Sequence, residues 1–222
     1  VTDSIVRSDF AEAWGLEELP QNPGFSARNM MSGIRSGNIK GMYLMQSNPS
    51  QFDLYGFNTL DCLKDLEFLV VQDIFLSETA RVADVVLPGA CFAEKDGTFT
   101  NSERRVQRVR KAVTPPGDAR DDGWILSGLA SRMDSSFAPD YNPGEIMQEI
   151  AQLTPGYHGI THTRLQNGSL TWPCADKDHP GTPVLHTEGF AREKGKFTPV
   201  EHHDPAELTD SDYPFLLSTA NK

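Results

Sequence analysis

The sequence predicts an α/β fold with a doubly wound, mainly parallel sheet within about residues 38–135. Three apolar runs, residues 39–46, 67–73 and 84–89, contain few polar positions, as is typical of strands buried on both faces. Segments with helical spacing or helix caps separate the runs, which gives the strand, helix, strand, helix, strand order of βαβ units. A turn signal follows each run and supports the same division.

Helices are predicted where apolar residues recur at helical spacing behind a capping residue. In the first, Ser8 or Asp9 is expected to be the N-cap, and Gly15 lies near the end. In the second, Ser26 is expected to cap the helix and Gly37 to end it. In the fourth, Ser77 is the expected N-cap. The predicted helices cover residues 8–20, 25–38, 54–66, 77–83, 118–134 and 144–153.

Beyond residue 134 proline and glycine become frequent, which indicates an irregular segment. The exceptions are the helix at 144–153 and a strand predicted over residues 194–202. The chain does not begin with methionine, and its last residues, DYPFLLSTANK, look like a strand cut just after its apolar run. We therefore expect a piece of a longer chain.

Polar side chains stand at the carboxyl ends of the predicted strands, where parallel sheets bind their ligands. Asn48 follows the first strand, and Gln72 and Asp73 end the second. Asn48 is suited to hydrogen-bond a nucleotide or pterin, and Asp73 to accept from ribose hydroxyls. The structural alternatives are an Asx-turn at Asn48 and a helix cap or turn at Asp73.

The sequence ARDDGW places two carboxylates, Asp121 and Asp122, at the start of a predicted helix. Either one is a favourable N-cap, because the helix dipole stabilises negative charge there. The functional alternative is recognition of guanine, whose N1–H and N2–H₂ edge presents two parallel donors to one carboxylate. On the residues alone, the cap is the stronger interpretation.

Residues 103–111 form a basic strip of one glutamate and five arginine or lysine residues, in a chain of formal net charge −11. Neither side of the strip is uniformly apolar, which predicts an edge strand or an extended arm. Nucleic acid, an anionic cofactor and plain solvation are the alternatives. The sequence pI of about 4.9 argues against nucleic acid and anionic membranes as partners.

Several kinds of site lack support in the sequence. The three cysteines are scattered and form no CxxC motif, so neither a zinc site nor an iron–sulfur site can be assigned. No GxSxG, GxGxxG or GxxxxGK[ST] motif occurs. No apolar run approaches the roughly 18 residues that a membrane span needs, so no membrane contact is expected from this segment.

The stretch LVVQDIFLSETARVADVVLPGACFAEKDGTFTNSERRVQRVRKAVTPPGDARDDGWIL, residues 69–126, resembles the molybdopterin oxidoreductase family. GNIKGMYLMQSNP before it and LTWPC after it fit the same family, and YPFLLSTANK is similar to the start of the family's C-terminal pterin-binding domain. Within the family the chain most resembles the catalytic alpha subunits of formate dehydrogenases. The similarity covers nearly the whole chain.

This resemblance implies a cofactor and a set of contacts. Enzymes of this kind hold two molybdopterin guanine dinucleotides around one molybdenum or tungsten, with a [4Fe–4S] cluster in an N-terminal segment outside this stretch. Asp122 would bind the guanine edge, and Asp73 would lie near the ribose. The remaining implied contacts, with the dinucleotide or beside the pterin, are Asn48, Gln72, Gly89, Asn101 and Arg105.

The resemblance also implies a domain organisation. Residues 1–135 would form the dinucleotide-binding α/β domain, residues 136–208 an irregular extension of it, and residues 209–222 the start of a truncated C-terminal domain. The cluster cysteines and the selenocysteine or cysteine that ligates the metal are absent, and Asn221 stands where the family often has arginine. No residue of this chain is therefore assigned a catalytic or metal-ligating role.

The implied activity is the two-electron oxidation of formate to carbon dioxide by the full-length protein. Its partners would be electron-transfer subunits or NAD-linked subunits, with no nucleic acid, and the cytoplasm is expected, with the periplasm as the alternative. A nitrate reductase or a relative of the large subunit of respiratory complex I is the second interpretation. A non-catalytic nucleotide-binding or assembly module is the third.

Overall fold

The computed structural model describes residues 3–51, 58–134, 141–190, 193–204 and 208–217. The chain divides into two compact units, Val1–Pro183 and Val184–Lys222. The first unit holds all the helices and strands of the described residues. Within those residues, no helix is both long and apolar enough to cross a membrane.

A three-stranded parallel sheet forms the centre of the first unit. Its strands are β1 (Gly41–Met45), β2 (Phe68–Asp73) and β3 (Val85–Pro88), in the order β1-β2-β3. Leu44 lies opposite Val71, which in turn lies opposite Val86, so all three strands run in the same direction. The predicted α/β class with a parallel sheet is confirmed.

Six α-helices occur in the described part of the first unit. They are α1 (Ser4–Ala13), α2 (Ala27–Arg35), α3 (Thr59–Lys64), α4 (Glu78–Arg81), α5 (Asp122–Met133) and α6 (Pro143–Leu153). The predicted helix over residues 54–66 corresponds to α3, and its residues 54–57 lie outside the described residues.

Among the predicted starts of α1, α2 and α4, two are confirmed and one is wrong. Ser26 accepts a hydrogen bond from the backbone N–H of Asn29, and Ser77 caps α4 in the same way. The first helix begins earlier than predicted, because the Asp3 carboxylate caps it by accepting from the two N–H groups of residues 5 and 6. Ser8 and Asp9 therefore lie inside α1.

One face of the parallel sheet carries the main hydrophobic core. Side chains of α2, α3 and α4 pack there against alternate residues of β2, because successive strand side chains point to opposite faces. The buried residues of this core are Met31, Ile34, Cys62, Leu63, Leu69, Val71 and Ala80. This packing fixes the loops that leave the carboxyl ends of β1 and β2.

A second sheet is antiparallel and contains the basic strip. Its strands are β4 (Gly97–Thr100), β5 (Arg105–Val109) and β6 (Leu170–Thr171), in the order β4-β5-β6. The prediction of an edge strand or extended arm is wrong, since β5 is the middle strand. Val106 is buried beneath it in a second core with Met147, Ile160, Leu165 and Cys174.

Arg104, at the start of the strip, ties the second sheet to the segment that follows it. Its guanidinium donates to the backbone carbonyls of Trp172, Thr182 and Pro183, at 3.1 Å for Thr182 and 3.0 Å for Pro183. Arg108 of β5 pairs with Asp96 at 3.2 Å. These two positive charges of the strip are thus held by contacts within the first unit.

The second unit contains neither helix nor strand in its described residues, which are 184–190, 193–204 and 208–217. The strand predicted over residues 194–202 is therefore wrong, since that whole range is described and is irregular. Phe197 and Val200 are exposed there, and within the described part of the second unit no neighbouring strand pairs with them. An apolar pattern without a pairing partner does not form a ladder.

Replacing Gly159 by alanine is expected to lower the free energy of unfolding by at least about 2 kcal/mol, as overpacking does in close-packed interiors. A Cβ atom at this position would lie 1.9 Å from the backbone oxygen of Asp176 and 2.6 Å from Cys174 Sγ. Urea unfolding of the complete polypeptide that contains this chain measures the loss. Gly24→Ala is the control, because a methyl group there would meet no atom within 4 Å apart from its own chain neighbours; equal stability of the two variants would contradict the packing described.

Candidate functional site at the carboxyl edge of the parallel sheet

A cavity of about 490 Å³ opens where β1 and β2 end. The loops that follow these strands and the start of α4 form its walls, as expected for a ligand site of a parallel sheet. Its lining residues are Gln46, Ser47, Asn48, Gln51, Asp73, Ile74, Phe75, Leu76, Ser77, Glu78 and Arg81.

Asn48 lies in this cavity wall and joins the β1 loop to α4. Its side-chain oxygen accepts from the Thr79 hydroxyl at 2.6 Å and from the Ser50 hydroxyl at 2.8 Å. Among the described residues, none accepts a hydrogen bond from its Nδ2 group. The oxygen thus has a structural role, and the amide nitrogen is the part of Asn48 that can serve a ligand.

Asp73 ends β2 and lines the same cavity. One carboxylate oxygen accepts from the backbone N–H of Ile74 at 2.7 Å, and the other accepts from the Ser77 hydroxyl at 3.2 Å. These bonds form the turn that the sequence offered as the structural alternative. Each carboxylate oxygen keeps a further lone pair for a ligand hydroxyl.

Asp122 does not cap α5, because its neighbour Asp121 does. Asp121 is the N-cap of α5, and its carboxylate accepts from the backbone N–H of Gly123 at 2.9 Å. The Asp122 carboxylate is therefore available for contacts at the sheet edge. The two candidates that the sequence left open for the cap are in this way resolved in favour of Asp121.

Three side chains donate to the Asp122 carboxylate. Gln46 Nε2 lies 3.1 Å from Oδ1 and 3.3 Å from Oδ2, so it bridges both oxygens. Gln72 Nε2 donates to Oδ1 at 2.5 Å, and Lys95 forms an ion pair with Oδ2. These donors come from the β1 loop, from β2 and from the loop after β3, so three separate segments converge on one carboxylate.

Burial and hydrogen bonding have opposite effects on the pKa of the Asp122 carboxylate. Burial raises the pKa of Asp122, but hydrogen bonds from Lys95, Gln46 and Gln72, together with the charge of Lys95, outweigh it and lower the pKa below its ordinary value. Its side chain and that of Lys95 are 17% and 18% exposed. The site therefore holds an ionised carboxylate that is largely shielded from solvent.

Gln72 is held on both sides of its amide. The side chain is fully buried at 0% exposure, its oxygen accepts from the Tyr43 hydroxyl, and its nitrogen donates to Asp122. Burial and then the negative charge of Asp122 raise the pKa of Tyr43, so its hydroxyl stays a donor. Gln72 thus positions Asp122 and has no direct path to solvent.

Gly89 is placed where no side chain fits easily. A Cβ atom there would lie 3.1 Å from Gln46 Nε2 and 3.3 Å from Asp122 Oδ1. The backbone of Gly89 also bridges to that of Arg120, just before α5. The absence of a side chain at this position lets Gln46 and Asp122 meet beside the end of β3.

The structure brings five of the seven residues singled out in the sequence to this edge: Asn48, Gln72, Asp73, Gly89 and Asp122. Of the other two, Asn101 lies in the turn between β4 and β5, and Arg105 is the first residue of β5. Asn101 accepts from the backbone N–H groups of Glu103 and Arg105, and Arg105 donates to Ser169 at 3.2 Å. Their described polar contacts stay within the second sheet and its neighbouring loop.

Sequence reasoning missed Gln46, Lys95 and Tyr43. Gln46 directly follows β1, and Gln72 is the last residue but one of β2. A glutamine at the carboxyl end of each of two neighbouring strands was the available signal for Gln46. Lys95 lies in a loop of mixed charge, where nothing in the local pattern distinguishes it. Tyr43 has the pattern of an ordinary strand residue, and only the hydrogen bond from its hydroxyl to Gln72 shows its role.

Comparison with known proteins adds independent findings. The profile of the molybdopterin oxidoreductase family matches residues 6–132. The chain is 49% identical, over 95% of its length and 31% of the relative's, to the F420-dependent formate dehydrogenase subunit alpha of Methanocaldococcus jannaschii. It is 40% identical, over 96% of its length and 32% of the relative's, to the assimilatory nitrate reductase catalytic subunit of Bacillus subtilis.

A solved structure gives the same fold. Acetylene hydratase from Pelobacter acetylenicus superposes with a TM-score of 0.52 at 21% sequence identity, over 74% of this chain and 23% of that one. At this identity the likeness concerns the fold alone. In all three comparisons the chain spans about a third of its relative's length or less.

The lowered pKa of Asp122 predicts how stability depends on pH. The folded-state pKa lies below the unfolded value of about 3.9, so the stabilising contribution of Asp122 is complete above about pH 5 and is lost as pH falls through the folded-state pKa. The difference in unfolding free energy between the native sequence and Asp122→Asn, measured with urea across this range, should be constant at neutral pH and shrink in acid. A difference that is independent of pH down to about pH 2 would contradict the described network.

Proposed function

Since this chain belongs to the molybdopterin oxidoreductase family, we propose that it is part of a formate dehydrogenase and that its carboxyl-edge site holds the guanosine end of a molybdopterin guanine dinucleotide. The proposed guanosine site is supported above all by the Asp122 carboxylate, which is ionised and is held in place by Gln72 and Lys95. The proposed formate dehydrogenase activity concerns the whole protein. This chain corresponds to about a third of it, since it covers 31% of its relative's length.

Formate as the substrate is supported by the relatives. Identity to a formate dehydrogenase alpha subunit reaches 49% over 214 residues, against 40% over 226 residues for a nitrate reductase catalytic subunit. Nitrate reduction is therefore the second candidate, favoured by that 40% relative. Both belong to enzymes of one family, and residues outside this chain would distinguish them.

The donor and acceptor chemistry of the site fits guanine. Two carboxylate oxygens accept from two parallel donors, and the N1–H and N2–H₂ groups of guanine are such a pair. Adenine presents an acceptor where guanine has N1–H, so the carboxylate would repel it. Gly89 supports the same assignment, because a side chain there would press on Asp122 and Gln46.

Residues of the neighbouring cavity, which Gln46 also lines, would serve the sugar and phosphate parts of the dinucleotide. The Asp73 carboxylate has lone pairs for ribose hydroxyls, and the Nδ2 group of Asn48 is a donor for a phosphate or carbonyl oxygen. Ser77 and the N-terminus of α4 line the same wall. Asn101 and Arg105 stay predictions for the pterin side, since their described contacts are elsewhere.

When bound, the molybdopterin and its molybdenum or tungsten supply the two-electron redox chemistry, as cofactors generally do. The residues of this chain hold and orient the nucleotide end, and they keep Asp122 charged in a partly water-excluded position. No residue of the chain is proposed as a proton donor, proton acceptor or metal ligand. A [4Fe–4S] cluster, electron-transfer or NAD-linked subunits and a cytoplasmic location are proposals for the whole protein.

The substrate proposal is tested on the complete polypeptide encoded around this chain, expressed anaerobically with its neighbouring subunits. We expect molybdenum or tungsten in the purified protein and dye reduction that depends on formate. Nitrate-dependent oxidation of a reduced dye is the parallel assay. Activity with nitrate and none with formate would favour the second candidate, and active protein without either metal would contradict both.

Asp122→Asn is expected to lower the GMP released by acid hydrolysis, per mole of purified full-length protein, by about tenfold or more, since a bidentate base contact is worth roughly 1–3 kcal/mol. Asparagine keeps the shape of the side chain but presents one donor in place of an acceptor. The measurement is chromatographic quantification of GMP beside metal analysis.

Asp121→Asn is the matched control for this experiment. It removes a neighbouring carboxylate, yet asparagine caps helices about as well as aspartate, so GMP content should stay close to that of the native protein. Equal GMP content in Asp122→Asn and Asp121→Asn would count against guanine recognition by Asp122.

A further inference from the structure

Gln46 occupies the position in front of Asp122 that a guanine edge requires. Its Nε2 group lies 3.1 Å from Oδ1 and 3.3 Å from Oδ2. A donor that is this close to both oxygens stands in the fork between them. The N1–H and N2–H₂ groups of guanine need the same two oxygens from the same side, so Gln46 and guanine cannot both hold them.

The three donors on Asp122 differ in how readily they can leave. Gln72 is fully buried, and its amide oxygen is held by Tyr43. Lys95 is 18% exposed and would leave an uncompensated charge on a shielded carboxylate. Gln46 is an exposed residue whose bond to Asp122 faces solvent, so it can exchange its partner for water at a lower cost than Gln72 or Lys95 could.

The backbone of Gln46 adopts an unusual conformation. Its φ is 53°, in the left-handed region that residues other than glycine rarely adopt. Its backbone N–H donates to the Gln72 carbonyl at 2.7 Å, which fixes the residue at the end of β1. Strained residues of this kind cluster at ligand sites, and here the strain directs a flexible side chain across the Asp122 carboxylate.

We propose that Gln46 is an internal competitor for the guanine edge and thereby a specificity-determining residue of the nucleotide site. This inference rests on the proposed function. Gln46 satisfies the Asp122 fork until a base that engages both oxygens displaces it, and its side chain then turns into the cavity that it already lines. Gln72 and Lys95 keep their bonds and hold the carboxylate in place throughout.

Competition by Gln46 lowers the affinity for some bases more than for others. Guanine must displace Gln46 from both oxygens, whereas hypoxanthine has N1–H but no N2 amino group and needs only one oxygen. Removal of the Gln46 amide should therefore strengthen GMP binding more than IMP binding. Since a hydrogen bond to a charged group contributes a factor of roughly ten or more to an equilibrium, we expect GMP to bind about 3- to 30-fold more tightly.

The test uses the full-length protein produced without pterin cofactor, with GMP and IMP as probes in isothermal calorimetry. Gln46→Gly removes the amide and relieves the positive φ, and Gln46→Ala removes the amide alone. Gln148→Ala is the matched control, because it removes an exposed glutamine amide from α6, outside the cavity lining and without a described contact to Asp122. Asp122→Asn reports on the site itself.

The expected result is tighter GMP binding in both Gln46 variants, a smaller gain for IMP, and no change in Gln148→Ala. GMP binding that is detectable only in the Gln46 variants supports the proposal equally. Unchanged or weaker GMP binding in both Gln46 variants, with binding lost in Asp122→Asn, would overturn the competitor and leave the proposed function intact. GMP binding that survives in Asp122→Asn, or that is absent from every variant, would overturn the nucleotide site and the competitor together.

Discussion

A shielded carboxylate at the end of a parallel sheet must be given hydrogen-bond donors, and the arrangement of this protein's carboxyl edge follows from that requirement. Asp122 obtains its donors from Gln46, Gln72 and Lys95, which three different segments supply. Each segment is in place only because the sheet, the loop after β3 and the start of α5 are correctly packed. The carboxylate therefore couples the site to the fold, since an unpaired charge there would be costly.

The main hydrophobic core and the candidate site lie in different parts of the first unit. The apolar face of β2 rests on α2, α3 and α4 through Leu69 and Val71, and this core carries the stability. The carboxyl edge instead contains a positive φ at Gln46 and a glycine at position 89 with close polar neighbours. Parallel sheets commonly divide their work in this way, with rigid strands positioning polar loops.

Local chemistry was sufficient to predict the sheet and much of its edge. The caps at Ser26 and Ser77 were correct because a capping hydrogen bond involves only neighbouring residues. Asn48, Gln72 and Asp73 lie at one edge of the sheet, as predicted, because the carboxyl ends of parallel strands meet there. The middle position of β5 was not predictable. Its Arg105 pairs with Thr171 of β6, far along the chain, and a strand pairing over such a distance leaves no signal in the local sequence. The contact between Gln46 and Asp122 was missed for the same reason.

We propose that Asp122 binds the guanine of the cofactor, and a structure of the full-length enzyme isolated with its metal would show whether it does. The quantity to measure is the distance from each Asp122 carboxylate oxygen to N1 and N2 of the nearest guanine. We expect two separations of about 2.7–3.2 Å, with Gln46 turned away from both oxygens. A guanine bound elsewhere, with Asp122 still bridged by Gln46, would contradict it.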